Sequence, residues 1–140
     1  MIKQISIFLE NKTGALGDVV KFMAENGINL RALSIADTED FGILRIITDE
    51  PDSTIGKIKD AGYSAKLTDV MAVEIDDKPG SFSGIVEILA AAGISIEYTY
   101  AFLSHKKERA CMIIRADDSA AANDLLIKSG VTVSSQNDLF

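Results

Sequence analysis

Cysteine is almost missing from this chain. Cys111 is the only one, which excludes an intramolecular disulfide and any cysteine-rich metal site, fits a reducing compartment and leaves the residue to pack as a small hydrophobe. Histidine is equally scarce: His105 stands alone, without metal-ligand spacing around it, so no nucleophile, base and orienting group come together in the sequence. The expectation is a protein that is not an enzyme, with no catalytic residues, no metal and no cofactor. Basic charge is in deficit, with 14 Lys and Arg against 21 Asp and Glu and a net charge of −7. Nucleic acids and anionic membranes are bound chiefly through Lys and Arg, so neither is expected as a partner. The one basic cluster, His105-Lys106-Lys107, is broken by Glu108 and reads as a solvated hairpin tip. Long apolar runs are absent as well. The first residues, Met1-Ile2-Lys3-Gln4-Ile5-Ser6-Ile7, alternate in polarity where a signal peptide needs a continuous apolar stretch behind a basic leader. A cytoplasmic location is the expectation.

What the chain does have, it has twice. Lys12, Gly14, Leu16, Val19, Val20, Met23, Gly27 and Ile28 return 66 positions later as Lys78, Gly80, Phe82, Ile85, Val86, Leu89, Gly93 and Ile94. A repeat of that length exceeds a solenoid unit and occurs in only two copies, so it marks a domain duplication. Expected domains are 1–68 and 69–140, joined through Thr68, Asp69 and Val70. Each half of a 140-residue chain is near the size that buries only about 60 % of its unfolded surface, so two halves gain by packing together.

Within each copy the hydrophobic period switches from strand to helix. Ile5, Ile7 and Leu9 alternate with Gln4, Ser6 and Phe8, and Met71, Val73 and Ile75 repeat the pattern. After a glycine turn, Leu16, Val19, Val20 and Met23 take the i, i+3, i+4, i+7 spacing of a helix, as do Phe82, Ile85, Val86 and Leu89. Gly27 and Gly93 end those helices. Second strands are expected at 30–36 and 96–103, third strands at 42–48 and around 111–114, then helices opened by Pro51 and Ser119, and closing strands at 64–67 and 131–135. The fold class is therefore α+β: two ferredoxin-like βαββαβ units, paired side by side into an eight-stranded antiparallel sheet with helices on one face.

That fold serves unrelated functions, so the loops must decide. An RNA-binding version needs aromatics on the third strand, and Gly42-Ile43-Leu44-Arg45-Ile46-Ile47 and Cys111-Met112-Ile113-Ile114 offer none. A metallochaperone needs paired cysteines after the first strand, and an acylphosphatase-like enzyme needs an arginine there; both are missing. Present instead are Glu10-Asn11-Lys12-Thr13-Gly14-Ala15-Leu16 and Asp76-Asp77-Lys78-Pro79-Gly80-Ser81-Phe82, followed by Gly27-Ile28-Asn29-Leu30 and Gly93-Ile94-Ser95-Ile96. These runs resemble the ACT domain, whose pattern is Asp or Asn, a basic residue, Pro and Gly before the first helix, with Gly-aliphatic-Asn behind it. The first copy is especially similar to the serine-binding regulatory domain of phosphoglycerate dehydrogenase, whose two ligand-contacting asparagines match Asn11 and Asn29. Thr13 departs from the pattern where Pro79 keeps it, and Ser95 departs where Asn29 keeps it.

The resemblance implies ligand-binding roles for Asn11, Lys12, Thr13, Gly14, Ala15, Leu16, Asn29 and Leu30 in the first copy. In the second it implies the same for Asp77, Lys78, Pro79, Gly80, Ser81, Phe82, Ser95 and Ile96. The physics of the loop agrees: a glycine at the mouth of a helix admits a ligand to backbone N–H groups, and the helix end carries about half a positive charge. An α-carboxylate fits there, and an asparagine can both donate to it and accept from the ammonium. Either asparagine alone more often serves its own backbone, and Gly14 and Gly80 would be needed for the turn in any case. The expected function is a free-standing regulatory protein that senses a free L-amino acid at the interface of its two units, acting on a separate metabolic enzyme or regulator and open to forming a homodimer. The rival is a dimerisation or interaction scaffold of the same fold without a ligand, and Thr13 and Ser95 are the residues that favour it.

Overall fold

The computed structural model describes residues 1–102 and 109–139. The expected hairpin tip at His105 to Glu108 and the end of the second strand at Leu103 lie outside the described residues. The chain divides into two compact units, one of residues 3–68 and the other of residues 69–140 together with Met1 and Ile2.

The first unit runs β1 (Ile2–Glu10), α1 (Ala15–Glu25), β2 (Leu30–Asp37), β3 (Phe41–Thr48), α2 (Pro51–Asp60) and the start of β4 (Ser64–Asp76). Its strand order is β2-β3-β1-β4, antiparallel between β1 and β3 and between β2 and β3. The second unit runs from the rest of β4 through α3 (Ser81–Ala91), β5 (Ile96–Ala101), β6 (Arg109–Ala116), α4 (Ser119–Lys128), β7 (Thr132–Ser134) and α5 (Gln136–Leu139). There β7, β4, β6 and β5 lie in that order, all antiparallel. Both units thus have the βαββαβ order with the first strand in the middle of its sheet.

The eight expected strands become seven among the described residues. Thr68, Asp69 and Val70, expected as a linker, are strand, so the last strand of the first unit and the first strand of the second are one element, β4. No glycine or proline interrupts that stretch, and Val70 is fully buried. The short helix α5 was not expected from the sequence.

The core of the first unit consists of Ile5, Ile7, Leu9, Val19, Met23, Leu44, Ile46 and Ile58. That of the second consists of Met71, Val73, Ile85, Leu89, Ile114, Ala116, Ala122 and Leu126. In both, one sheet face is covered by the apolar stripes of two helices, as the 3.6 period requires. The stripes are narrower than the spacing alone suggests: Val19 and Met23 are buried, but Leu16 is 39 % exposed, and in the copy Val86 is 37 % exposed. The opposite sheet faces are not simply polar either. Gln4 and Ser6 are buried and joined by a 3.0 Å hydrogen bond from the Gln4 amide to the Ser6 hydroxyl. Cys111 is buried, as a small hydrophobe should be.

Candidate functional site

Between β1 and α1 the chain turns through Asn11 to Gly14. The Lys12 N–H donates to the Glu10 carbonyl at 2.9 Å and the Ala15 N–H to the Lys12 carbonyl at 3.3 Å. Gly14, at φ 89° and ψ −11°, then caps α1 in the left-handed region that side chains disfavour. The copy repeats this atom for atom. The Lys78 N–H donates to the Asp76 carbonyl at 2.9 Å, the Ser81 N–H to the Lys78 carbonyl at 3.3 Å, and Gly80 sits at φ 88° and ψ −13°. Thr13 in one loop and Pro79 in the other therefore support the same backbone. Even the flanking exposed ion pairs recur, Lys12 with Glu10 at 3.2 Å and Lys78 with Asp76 at 3.8 Å.

Neither α1 nor α3 begins with a side-chain cap, and α2, behind Glu50, lacks one as well. A helix start leaves N–H groups without internal partners, and capping side chains ordinarily take one of them. The chain does so at α4, where the Asp118 carboxylate accepts from the Ala121 N–H at 3.1 Å. At Gly14 and Gly80 there is no side chain to do it, and a Cβ built on either glycine meets nothing within 4 Å. Both helix mouths are open to an outside acceptor.

In the first unit the mouth of α1 borders a cavity of about 200 Å³, lined by Glu10, Asn11, Lys12, Ala15 and Leu16 on one side and by Ile35, Ala36, Asp37 and Gly42 on the other. A second cavity of about 390 Å³ shares Glu10, Lys12 and Ala15 with the first and adds Phe8, Asp18, Gly62, Tyr63 and Ser64. Tyr63, Ile35 and Asp37 were not expected at the site. The one signal for Tyr63 is that it follows Gly62, the glycine that ends α2, and so enters β4 beside the β1 end; Ile35 and Asp37 arrive only through the β2–β3 register.

Asn11 is engaged within the unit. Its amide donates to Asp37 Oδ1 at 2.9 Å and to the Thr38 carbonyl at 3.1 Å. Both partners are acceptors, so the NH₂ must face them and the Oδ1 faces away. Asn11 therefore ties the glycine loop to the β2–β3 turn and retains an acceptor for a ligand; donating to a carboxylate would mean giving up one of these bonds. The Asp77 carboxylate has no N–H to make such a tie, and the positions that match Asp37 and Thr38 in the copy, 103 and 104, lie outside the described residues.

Asn29 is elsewhere. It follows the C-terminal end of α1, an 11-residue helix and so about 16 Å from its mouth, and lines a separate cavity of about 230 Å³ with Thr48, Asp49, Glu50 and Ser53. Asn11 and Asn29 do not share a cavity within the first unit. Asn29 is exposed and its side chain makes no hydrogen bond among the described residues. Ser95, its counterpart, has its N–H bonded to Asp117 Oδ1 at 3.1 Å while its carbonyl accepts from the Asp117 N–H at 3.0 Å. In the first unit Asp49, which aligns with Asp117 once the longer β5–β6 hairpin of the copy is allowed for, faces Arg31 instead, at 3.3 Å. Leu30 packs against the first core, and Phe82 and Ile96 against the second, so these three serve the interior. Thr13, Lys78, Pro79 and Gly80 are exposed in the loops and Ser81 is half-buried at the first turn of α3. Among the described residues no three His, Cys, Asp or Glu side chains are grouped so as to hold a metal ion, and no helix is long and apolar enough to cross a membrane.

Comparison with known proteins decides the family. The family model described as an ACT domain pair matches residues 1–140. The chain belongs to the ACT domain pair family. Among solved structures this ACT pair is similar to protein BT0572 from Bacteroides thetaiotaomicron, with 36 % identity, a TM-score of 0.89 and coverage of 99 % of this chain and 94 % of that one. It shares its fold with the ligand-free regulatory subunit of aspartate kinase from Thermus thermophilus, at 18 % identity, a TM-score of 0.64 and 91 % coverage of each chain. It is also 39 % identical over 79 residues to the acetolactate synthase small subunit of Buchnera aphidicola subsp. Baizongia pistaciae (strain Bp). That match takes in 53 % of this ACT pair and 47 % of the relative, so the chain spans about half the length of the curated relative it matches.

Proposed function

We propose that this ACT pair is a regulatory protein without catalytic machinery of its own, which binds a free L-amino acid at its β1–α1 loops and acts in trans, in the cytoplasm, on a separate metabolic enzyme. One observation carries the reading: two helix mouths without a side-chain cap, each behind a left-handed glycine in the same geometry and each with open space where a Cβ would stand. A carboxylate at such a mouth accepts charge-assisted hydrogen bonds of about 1.5–3 kcal/mol each. The Asn11 Oδ1, directed away from Asp37, is placed to accept from the ammonium, and Lys12 and Leu16 line the same cavity. Asn29, in its own cavity about 16 Å away, is too far to touch a ligand at the α1 mouth of the same unit. Relatives that are a regulatory subunit and a small subunit of amino-acid-related enzymes support action in trans. Regulation then requires that the ligand bind one conformation of the protein better than another.

A thermal-shift screen against the twenty amino acids tests this, since ligand at 100 times its Kd adds about 2.7 kcal/mol of stability. One amino acid, or a small related set, should raise Tm. Calorimetry on Gly14→Val and Gly80→Val then assigns the loop, because a β-branched residue is strained at this φ and closes the approach. No shift with any amino acid, or undiminished affinity in both folded variants, would refute it. The second reading, a scaffold without ligand, is favoured by the Asn11 amide, whose two hydrogens are spent on Asp37 and Thr38. In that case the screen is flat and Asn11→Ala alters only stability.

A further inference from the structure

Where β3 passes into α2, the first unit is polar and the second is apolar. With the same allowance for the longer hairpin of the copy, Thr48, Ser53, Thr54 and Lys57 align with Ala116, Ala121, Ala122 and Leu125. Ala116 and Ala122 are fully buried in the second core, and Thr48 and Thr54 are buried too, at 2 % and 5 % exposure. The fold therefore accepts alanine at both places and needs a hydroxyl at neither. A hydroxyl taken out of water without a good partner costs stability, so two of them in one copy only call for a reason. Thr48 and Thr54 hydrogen-bond through their side chains only with each other, at 3.5 Å, against the usual O–H···O distance of about 2.7–2.8 Å. Such a pair uses one O–H hydrogen at most, so at least one buried donor has no acceptor among the described residues. Both threonines border the cavity of about 230 Å³ that Asn29, Ser53 and Lys57 also line.

Other donors converge on the same cavity. In the copy the Asp118 carboxylate takes the Ala121 N–H, but Glu50 makes no side-chain cap, and the matching Ser53 N–H has no partner among the described residues. Two neighbouring carboxylates are already paired, Asp49 with Arg31 at 3.3 Å and Asp52 with Lys3 at 2.8 Å. Lys57 makes no ion pair among the described residues. An ammonium, a helix N–H and a buried hydroxyl without an acceptor together suit an oxyanion. Glu50, on the rim, sets the charge of that anion. Its carboxylate has only a 3.4 Å contact from the Ser53 hydroxyl, so it repels a second negative charge and can accept from a hydroxyl or ammonium beside the first. A monocarboxylate meets both conditions and a phosphate dianion meets neither.

We propose that this cavity is a second ligand site of the first unit, separate from the α1 mouth, which takes a small monocarboxylate bearing a hydroxyl or an ammonium on the adjacent carbon. The carboxylate accepts from Lys57, the Ser53 N–H and the threonine hydroxyls, and the substituent donates to Glu50. Titration of the full chain followed by its backbone amide NMR signals tests this, with lactate, L-alanine and inorganic phosphate as probes. Lactate or L-alanine should shift the Ser53 and Thr54 amides saturably, and the tighter of the two tells whether a hydroxyl or an ammonium faces Glu50. Thr54→Ala and Lys57→Leu, each the residue of the copy, should weaken that binding at least about tenfold, one decade in Kd. Lys59→Leu, which removes the same charge from the same helix outside the cavity, should leave it unchanged. Thr54→Ala should also keep or raise Tm, because it deletes a poorly partnered buried hydroxyl. A threonine with a structural role alone would do the reverse, losing stability and leaving affinity untouched. If Thr54→Ala fails to fold, Thr48→Ala and Lys57→Leu decide. No saturable shift with either organic probe, phosphate bound as tightly as they are, undiminished affinity in a folded Thr54→Ala or Lys57→Leu, or an equal loss in Lys59→Leu would each overturn the proposal.

Discussion

The two repeats keep the same backbone and have parted company in their polar side chains. Gly14 and Gly80 agree to within 2° in φ and ψ, and the loops before them close with the same hydrogen bonds. α1 and α3 end alike too, Ile28 N–H donating to the Met23 carbonyl at 2.9 Å and Ile94 N–H to the Leu89 carbonyl at 3.0 Å. The Asn11 side chain, by contrast, holds the β2–β3 turn where the Asp77 carboxylate has no N–H to offer, and Asp49 meets Arg31 where Asp117 meets the Ser95 backbone. The lesson is physical. A left-handed glycine and an apolar 3.6 period determine backbone locally, so two copies drift without losing them, whereas a polar contact depends on a partner far along the chain and is lost or redirected by one substitution.

If the shared scaffold is equivalent in energy as well as in shape, its cores should respond alike. Met23 and Leu89 occupy matching helix positions and are 1 % and 0 % exposed. Replacing either by alanine should cost about 2–5 kcal/mol, with the two losses within about 1 kcal/mol of each other in urea unfolding. A loss below about 1 kcal/mol at one site only would show that one unit repacks where the other does not, and the likeness of the repeats would then end at the backbone.

How much of this was legible beforehand follows the same division. The glycine turns, the helix stripes and the βαββαβ order are local signals and stand in the sequence. Thr68, Asp69 and Val70 read in sequence as a linker between two short apolar runs, whereas in the structure β4 continues through them with Val70 fully buried. Leu16 and Val86 fit the helical spacing yet are exposed, since the period specifies a stripe and packing decides its width. The partners of Asn11 lie 26 and 27 residues away, and no spacing rule announces them. That Asn11 and Asn29 line different cavities follows from the length of α1, which the sequence gives in outline, but which cavity each enters follows from tertiary packing alone.

The asparagines give a finer test of the contrast between held and free side chains. Asn11→Ala removes two exposed donor bonds and should cost about 0.5–1.5 kcal/mol of stability, loosening the loop against the β2–β3 turn. Asn29→Ala removes none among the described residues and should stay within about 0.5 kcal/mol of wild type. On ligand the order should reverse if Asn29 contacts it, with one to two decades lost in Kd, roughly the worth of one hydrogen bond to a charged group. Chemical denaturation and calorimetry on both variants measure the two axes. Equal stability losses would erase the distinction between a tying and an available asparagine.

The smallest effect tests the likeness of the loops most directly. Pro79 and Thr13 occupy the same place in backbones that match on both sides, so the first loop already presents the conformation that a proline ring demands. Thr13 is exposed, its N–H makes no hydrogen bond among the described residues, and the residue before it, Lys12, is bonded as Lys78 is before Pro79. Nothing in the folded state is lost when the ring is added, while the unfolded chain loses freedom. Thr13→Pro should therefore stabilise the protein by about 0.4–1 kcal/mol, a gain read as a higher urea midpoint at unchanged slope. A lower midpoint would mean that φ at Thr13 differs from φ at Pro79 despite the matching hydrogen bonds, and the two loops would then be alike in their ends but not in their path.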